Sequence, residues 1–121
     1  KHPAELNAKQ LSVSDTSEIK NGVLVTGLPR LTDFSDNALK KMIKDMQDWK
    51  KIRMIGSAAM SACYVASGKA DLYMEKATFL WDIAAGAAIV EAAGGVAILE
   101  NEKDGYLVDA TLTNTKLINN L

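Results

Sequence analysis

Short β-branched or apolar runs alternate with segments of helical period along most of this chain, and that alternation restricts its fold more than any other feature. Val23-Leu24-Val25-Thr26, closed by Gly27, reads as a buried strand. Within 33–49, Leu39, Met42, Ile43, Met46 and Trp49 fall at helical spacing, one apolar stripe with Ser35 as N-cap. Lys40, Lys41, Lys44, Asp45 and Asp48 take the outer face. Ile52-Arg53-Met54-Ile55 is a short strand. The segment 57–67 is small and apolar nearly all round, a buried helix stopped at Gly68. Residues 70–75 are strand-like. Asp82 opens a third helix that ends at Gly94-Gly95, and residues 96–99 and 106–108 are strands flanking a polar turn at 100–105. Residues 113–121 close as a short helix, and residues 5–13 form a hairpin or turn around Asn7-Ala8. This order predicts an α/β architecture, a mixed β-sheet flanked by helices on both faces. Ligands in such sheets gather where strands end and helices begin.

The length supports one domain over 1–121, with no linker, repeat or low-complexity tract; the only prolines are Pro3 and Pro29. Lys plus Arg total 14 and Asp plus Glu total 15, so no basic excess exists to grip a phosphate backbone, and nucleic acid is a poor first guess. The one cysteine, Cys63, cannot form an internal disulfide, which fits a reducing, cytoplasmic setting. The first residues, Lys1 to Asn7, show no apolar core of a targeting segment, and they lack an initiator Met, so the true start can lie upstream. The most apolar stretch, 78–99, is interrupted by Asp82, Glu91, Gly86, Gly94 and Gly95, which argues against a membrane span.

Two junctions draw attention as chemistry. At Gly56-Ser57-Ala58-Ala59, a glycine allows close backbone approach, and the free N–H groups of a first helical turn can hold an anion. Ser57 as a plain N-cap is the simpler reading. Asp82 can cap its own helix or point outward to a hard cation such as Mg2+. Glu75 stands at a strand end, where a solvated carboxylate is common. His2 is the only histidine, so neither a Cys2His2 zinc site nor a triad base is available. Cys63, inside a small apolar helix, reads as an inert thiol. Met42 and Met46 read as core, and Gly94-Gly95 reads as a helix stop.

The block Trp81-Asp82-Ile83-Ala84-Ala85-Gly86, followed by an aliphatic run and Glu91-Ala92-Ala93-Gly94-Gly95, resembles the C-terminal signature of the inositol monophosphatase family. Ala92 stands where the family usually has its Glu, and Glu91 lies one place earlier. Gly56-Ser57-Ala58-Ala59, Tyr64 through Asp71, Glu5-Leu6-Asn7, Leu11 through Ser14 and Val25-Thr26-Gly27-Leu28-Pro29 also resemble family segments. The resemblance runs over nearly all of the chain but covers only half of a family enzyme. The upstream Glu ligand and the Asp-Pro-x-Asp-Gly-Thr motif of the N-terminal half are missing; the nearest Asp-Gly, Asp104-Gly105, lacks the flanking Pro and Thr.

The resemblance implies the C-terminal half of the inositol monophosphatase-like layered sandwich, with the N-terminal metal-binding half absent. It implies Mg2+-dependent hydrolysis of inositol monophosphate or a related small sugar or nucleotide phosphate. Asp82 matches the catalytic metal-ligating aspartate, Glu75 the acid that accepts hydrogen bonds from substrate hydroxyls, and Gly56, Ser57 and Ala58 the substrate-lining loop and helix start. The expected partners are a small phosphorylated substrate, the missing N-terminal domain and a second copy in a homodimer, with no nucleic acid and no membrane. A lone Asp82 is too few ligands for a catalytic metal set, so the isolated chain is expected to be inactive. The other reading is a non-catalytic binding or interaction module that keeps the fold.

Overall fold

The computed structural model describes residues 2–28 and 32–121. A short hairpin, β1 (Glu5–Leu6) and β2 (Lys9–Gln10), turns through Asn7 and Ala8, both at positive φ as a tight two-residue loop requires. The main sheet contains β3 (Val23–Thr26), β4 (Lys51–Met54), β5 (Leu72–Phe79), β6 (Val96–Lys103) and β7 (Leu107–Thr113), in the order β4-β3-β5-β7-β6. β3 pairs in parallel with β4 and β5, and β7 pairs antiparallel with β5 and β6. The sheet is therefore mixed, as the alternation of elements predicts.

Helix α1 (Asp36–Met46) connects β3 to β4, α2 (Ala58–Ala66) connects β4 to β5, and α3 (Leu80–Ala92) connects β5 to β6. From β3 the chain first steps to one side, to β4, and then crosses back to β5. Two right-handed crossovers of opposite sense put their helices on opposite faces. The packing agrees. Val25, Tyr73, Ala110 and Leu112 meet Ala62, Val65, Ile83 and Val90 of α2 and α3 on one face. Leu24 and Leu72 meet Trp49, Leu117 and Met46 on the other.

The local chemistry of each helix start matches the sequence. Ser35 accepts the Ala38 N–H at 3.4 Å, and Ser57 accepts the Met60 N–H at 3.1 Å. Gly68 ends α2 at a φ of 75°. Asp71, buried just before β5, accepts the Val23 N–H at 2.7 Å and the Ser14 hydroxyl at 2.5 Å. Asn114 donates to that same hydroxyl at 3.1 Å and caps the turn at Leu117 through its Oδ1. These bonds fasten the segment that follows the hairpin to one end of the sheet, where β3 and β5 begin and β7 finishes.

Five expectations are corrected. α1 is shorter than 33–49, and its stripe is only partly buried: Met42 and Met46 are half-buried and Trp49 is buried, but Leu39 is 37% and Ile43 62% exposed. The half-buried line of the helix is Ala38-Met42-Met46, which borders the groove beneath it, while Leu39 and Ile43 lie on the far side; Lys41 and Asp45 also border that groove but stay exposed, as assigned. β5 begins at Leu72 and runs on to Phe79 rather than ending at Glu75. The polar segment 100–105 is mostly strand, because β6 continues to Lys103 as the charged edge of the described sheet. α3 starts at Leu80, two residues before Asp82. At the C-terminus only Leu117–Asn120 is helical, as a 3-10 turn, and Thr113 belongs to β7. Of the segment Val25 to Pro29, Pro29 lies outside the described residues.

Candidate active site

Because β3, β4 and β5 run in parallel, α2 and α3 begin at the same edge of the sheet, and β3 and β5 leave it in opposite senses. A doubly wound sheet of this strand order opens its ligand crevice between those two strands, beyond their carboxyl ends. Gly27 follows β3 there, and Glu75 lies on the adjacent strand, one step past the Thr26–Met74 pair. A Cβ on Gly27 would collide with Glu75 Oε1, so the missing side chain is what leaves room for the carboxylate.

Side chains alternate across β5, so Tyr73 and Glu75 point to the α2–α3 face. The Tyr73 hydroxyl donates to Glu75 Oε1 at 3.3 Å. Burial of Tyr73 raises its pKa well above the ordinary range, and the Glu75 charge adds to the effect. Burial also raises the Glu75 pKa; the Tyr73 hydrogen bond opposes the rise and the Asp82 charge reinforces it. Glu75 and Asp82 thus feel one another at the mouth of the sheet.

Asp82 does not cap its helix. Phe79 occupies the N-cap position without a side-chain bond. The Asp82 carboxylate is exposed and makes no hydrogen bond or ion pair among the described residues. It lies in the first turn of α3, where the helix dipole favours negative charge. Gly56, at φ 82°, and Ser57 precede α2 at the same edge, with Ala58 its first residue. The topology therefore brings Gly56, Ser57, Ala58, Glu75 and Asp82 to one rim. Gly27 and Tyr73 complete it; the Tyr-x-Glu spacing and a glycine directly after a strand were the available sequence signals for them.

A groove of about 590 Å3 runs beneath α1 on the opposite face, and it shares only Gly27 and Glu75 with this rim. His2 is exposed and lies in no cluster, and Cys63 is half-buried within α2. Among the described residues no three His, Cys, Asp or Glu side chains gather to hold a metal ion. Among the described residues no helix is long and apolar enough to cross a membrane.

The raised Glu75 pKa has a testable sign. A buried carboxyl with an elevated folded pKa binds more protons in the folded state than in the unfolded one, so its contribution to stability declines as pH rises from about 4.5 through the folded value. Glu75→Gln is expected to stabilise the chain at neutral pH and to flatten that part of the profile. Chemical denaturation at several pH values checks this; an unchanged slope would show that Glu75 carries no such penalty.

The fold and rim define an α/β protein with two carboxylates, Glu75 and Asp82, at the sheet edge where α2 and α3 begin. The profile of the Inositol monophosphatase family matches residues 1–120, and the chain belongs to that family. The Nus factor SuhB of Pasteurella multocida is 36% identical over 113 residues, covering 90% of this chain and 41% of the relative. A Thermotoga maritima relative named fructose-1,6-bisphosphatase/inositol-1-monophosphatase is 36% identical over 93 residues, covering 77% of this chain and 34% of its own length. The solved inositol monophosphatase from Anabaena superposes with a TM-score of 0.81 at 30% identity, covering 94% of this chain and 46% of that one. The chain thus spans less than half the length of the relatives it matches.

Proposed function

We propose that this chain supplies Asp82 and Glu75 to the site of a Mg2+-dependent phosphomonoesterase acting on inositol monophosphate or a related small sugar or nucleotide phosphate. One observation carries the reading: an exposed, unbonded Asp82 carboxylate shares the ligand edge of the sheet with a half-buried Glu75. The family relationship and the phosphatase names among the relatives support the same chemistry.

Mg2+ takes hard oxygen donors and keeps several waters. Asp82 is a donor of that type, but one carboxylate is short of a shell, so the remaining protein ligands would come from outside these residues. When bound, the ion would polarise the phosphoryl oxygens and supply a hydroxide-like water. The chain's own residues do the rest. Glu75 accepts hydrogen bonds from substrate hydroxyls, held over Gly27 by the Tyr73 hydroxyl. Gly56, Ser57 and Ala58 line the substrate, and the first-turn N–H groups of α2 favour its negative phosphate.

The outer surface of the α2–α3 layer supports a further half. Ala59, Met60, Ala84, Ala85, Ala88 and Ile89 are all exposed, although helices apolar all round are normally covered. An N-terminal metal-binding domain is the cover we assign to that face, in a cytoplasmic enzyme that forms homodimers. The purified chain with Mg2+ and inositol monophosphate is expected to release no phosphate above background. Robust turnover by the chain alone would overturn the divided site.

The Nus factor name shared by several relatives favours a second reading, a binding or interaction module that keeps the fold. Calorimetry separates the two: tight ligand binding by this chain alone would support the module.

A further inference from the structure

One carboxylate outside the rim ties together the two irregular points of the sheet. Between Glu75 and Thr78, β5 places two residues, Lys76 and Ala77, opposite the single residue Asp109 of β7. On the other side of β7, β6 places Asn101 and Glu102 out of register between Glu100 and Lys103. Each bulge contains a non-glycine residue at positive φ, Ala77 at 52° and Asn101 at 55°. Asp109 reaches both: its Oδ1 accepts the Ala77 N–H at 2.9 Å, and its Oδ2 accepts the Asn101 amide at 3.0 Å.

The β5 bulge decides where everything after it points. A shift of one residue reverses the faces of a strand. With the bulge, Glu75 pairs with Ala110 and Thr78 pairs with Val108, so both face the α2–α3 side, and Thr78 is buried. Without it, Thr78 would turn to the opposite face. α3 begins two residues later, with Ile83 buried in the core and Asp82 at the rim. An alanine in the left-handed region costs about 1–2 kcal/mol, so something must hold Ala77 there. The Asp109 hydrogen bond is that hold.

We propose that Asp109 is a positioning residue: by clamping the bulges on both neighbouring strands, it sets the register that directs the start of α3, and with it Asp82, to the rim that Glu75 occupies. The proposal rests on the functional reading above only for what that pair does; the test has no activity readout, so the two stand or fall separately.

The test uses the purified, isotope-labelled chain. In Asp109→Ala, the Ala77 amide is expected to exchange about 10- to 100-fold faster, the usual consequence of losing a hydrogen bond to a charged group. The Glu75 carboxyl carbon and the Asp82 amide should shift in resonance, and the close approach of the Tyr73 ring to Glu75 should weaken. Core amides such as those of Leu72 and Leu112 should keep their protection, which separates positioning from general loss of stability. Asp109→Asn retains an acceptor for Ala77 and should restore the wild-type pattern, excluding a pure charge effect. Ala77→Gly should rescue Asp109→Ala, because glycine takes this φ without strain. If Asp109→Ala does not fold, the double variant with Ala77→Gly decides: folding with wild-type Glu75 and Asp82 signals supports the clamp. Glu75 and Asp82 signals unmoved in Asp109→Ala would overturn the proposal, as would Ala77 and Leu112 exchange rising together or a failed glycine rescue.

Discussion

Asp82→Asn is expected to reduce phosphate release about 100-fold or more when this chain is joined to a metal-binding half, because several kcal/mol of metal-borne charge stabilisation depend on the ligand set. The substitution removes charge but hardly changes shape. Asp82 is exposed and bonds to no described residue, so the fold should survive: the melting temperature should stay close to that of the unaltered protein. This combination, lost turnover with a retained fold, separates a ligand from a cap. Unaltered turnover in the variant would remove Asp82 from the metal shell. A fall in stability matching the fall in activity would point to a structural role.

Gly86→Ala is expected to produce the largest loss of stability in the α2–α3 layer. Alanine in place of glycine within a helix normally gains up to about 1 kcal/mol. Here the new Cβ would run into the Ala62 Cβ of α2. Neither carbon can rotate away, since each is fixed to its own backbone, so the two helices must separate. Overpacking of this kind costs about 1–3 kcal/mol. The contact also lies beside Ile83, Ala87 and Val65 in the main core, so separation loosens several neighbours together. Clash and lost packing together should exceed the helical gain, lowering the melting temperature by roughly 5–10 °C. Ala62→Gly in the same chain should recover most of the loss. A Gly86→Ala chain as stable as the original would mean that the helices are not held this closely.

Much of the architecture is legible because the strands and inner helices advertise themselves. Val23–Thr26 is β-branched and flanked by Gly22 and Gly27, and the small residues of α2 and α3 suit only close helix packing. The Trp81-Asp82 block points to the family, and the two junctions point to the rim proposed as the ligand site. What stays hidden depends on partners distant in sequence. The stripe of α1 gives the helix but not its rotation, which turns Ala38, Met42 and Met46 toward the groove and leaves Ile43 in solvent. The acidic run after Leu99 reads as a turn because charge usually marks one, yet as an edge strand it pairs with β7 and leaves its charges wet. The β5 bulge has no local signal, since Ala77 is not a residue that favours a positive φ. Its cause, Asp109, lies 32 positions away.

The central claim is that Asp82 faces a divalent ion. Its most direct test is Mn2+, a paramagnetic stand-in for Mg2+, titrated into the isotope-labelled chain. Weak binding suffices, because broadening reports proximity rather than affinity. The account predicts that amide signals around Asp82, Glu75 and Gly27 broaden first, and that Asp82→Asn abolishes this. Broadening that begins instead along the acidic segment from Glu100 to Asp104, unchanged by Asp82→Asn, would contradict it.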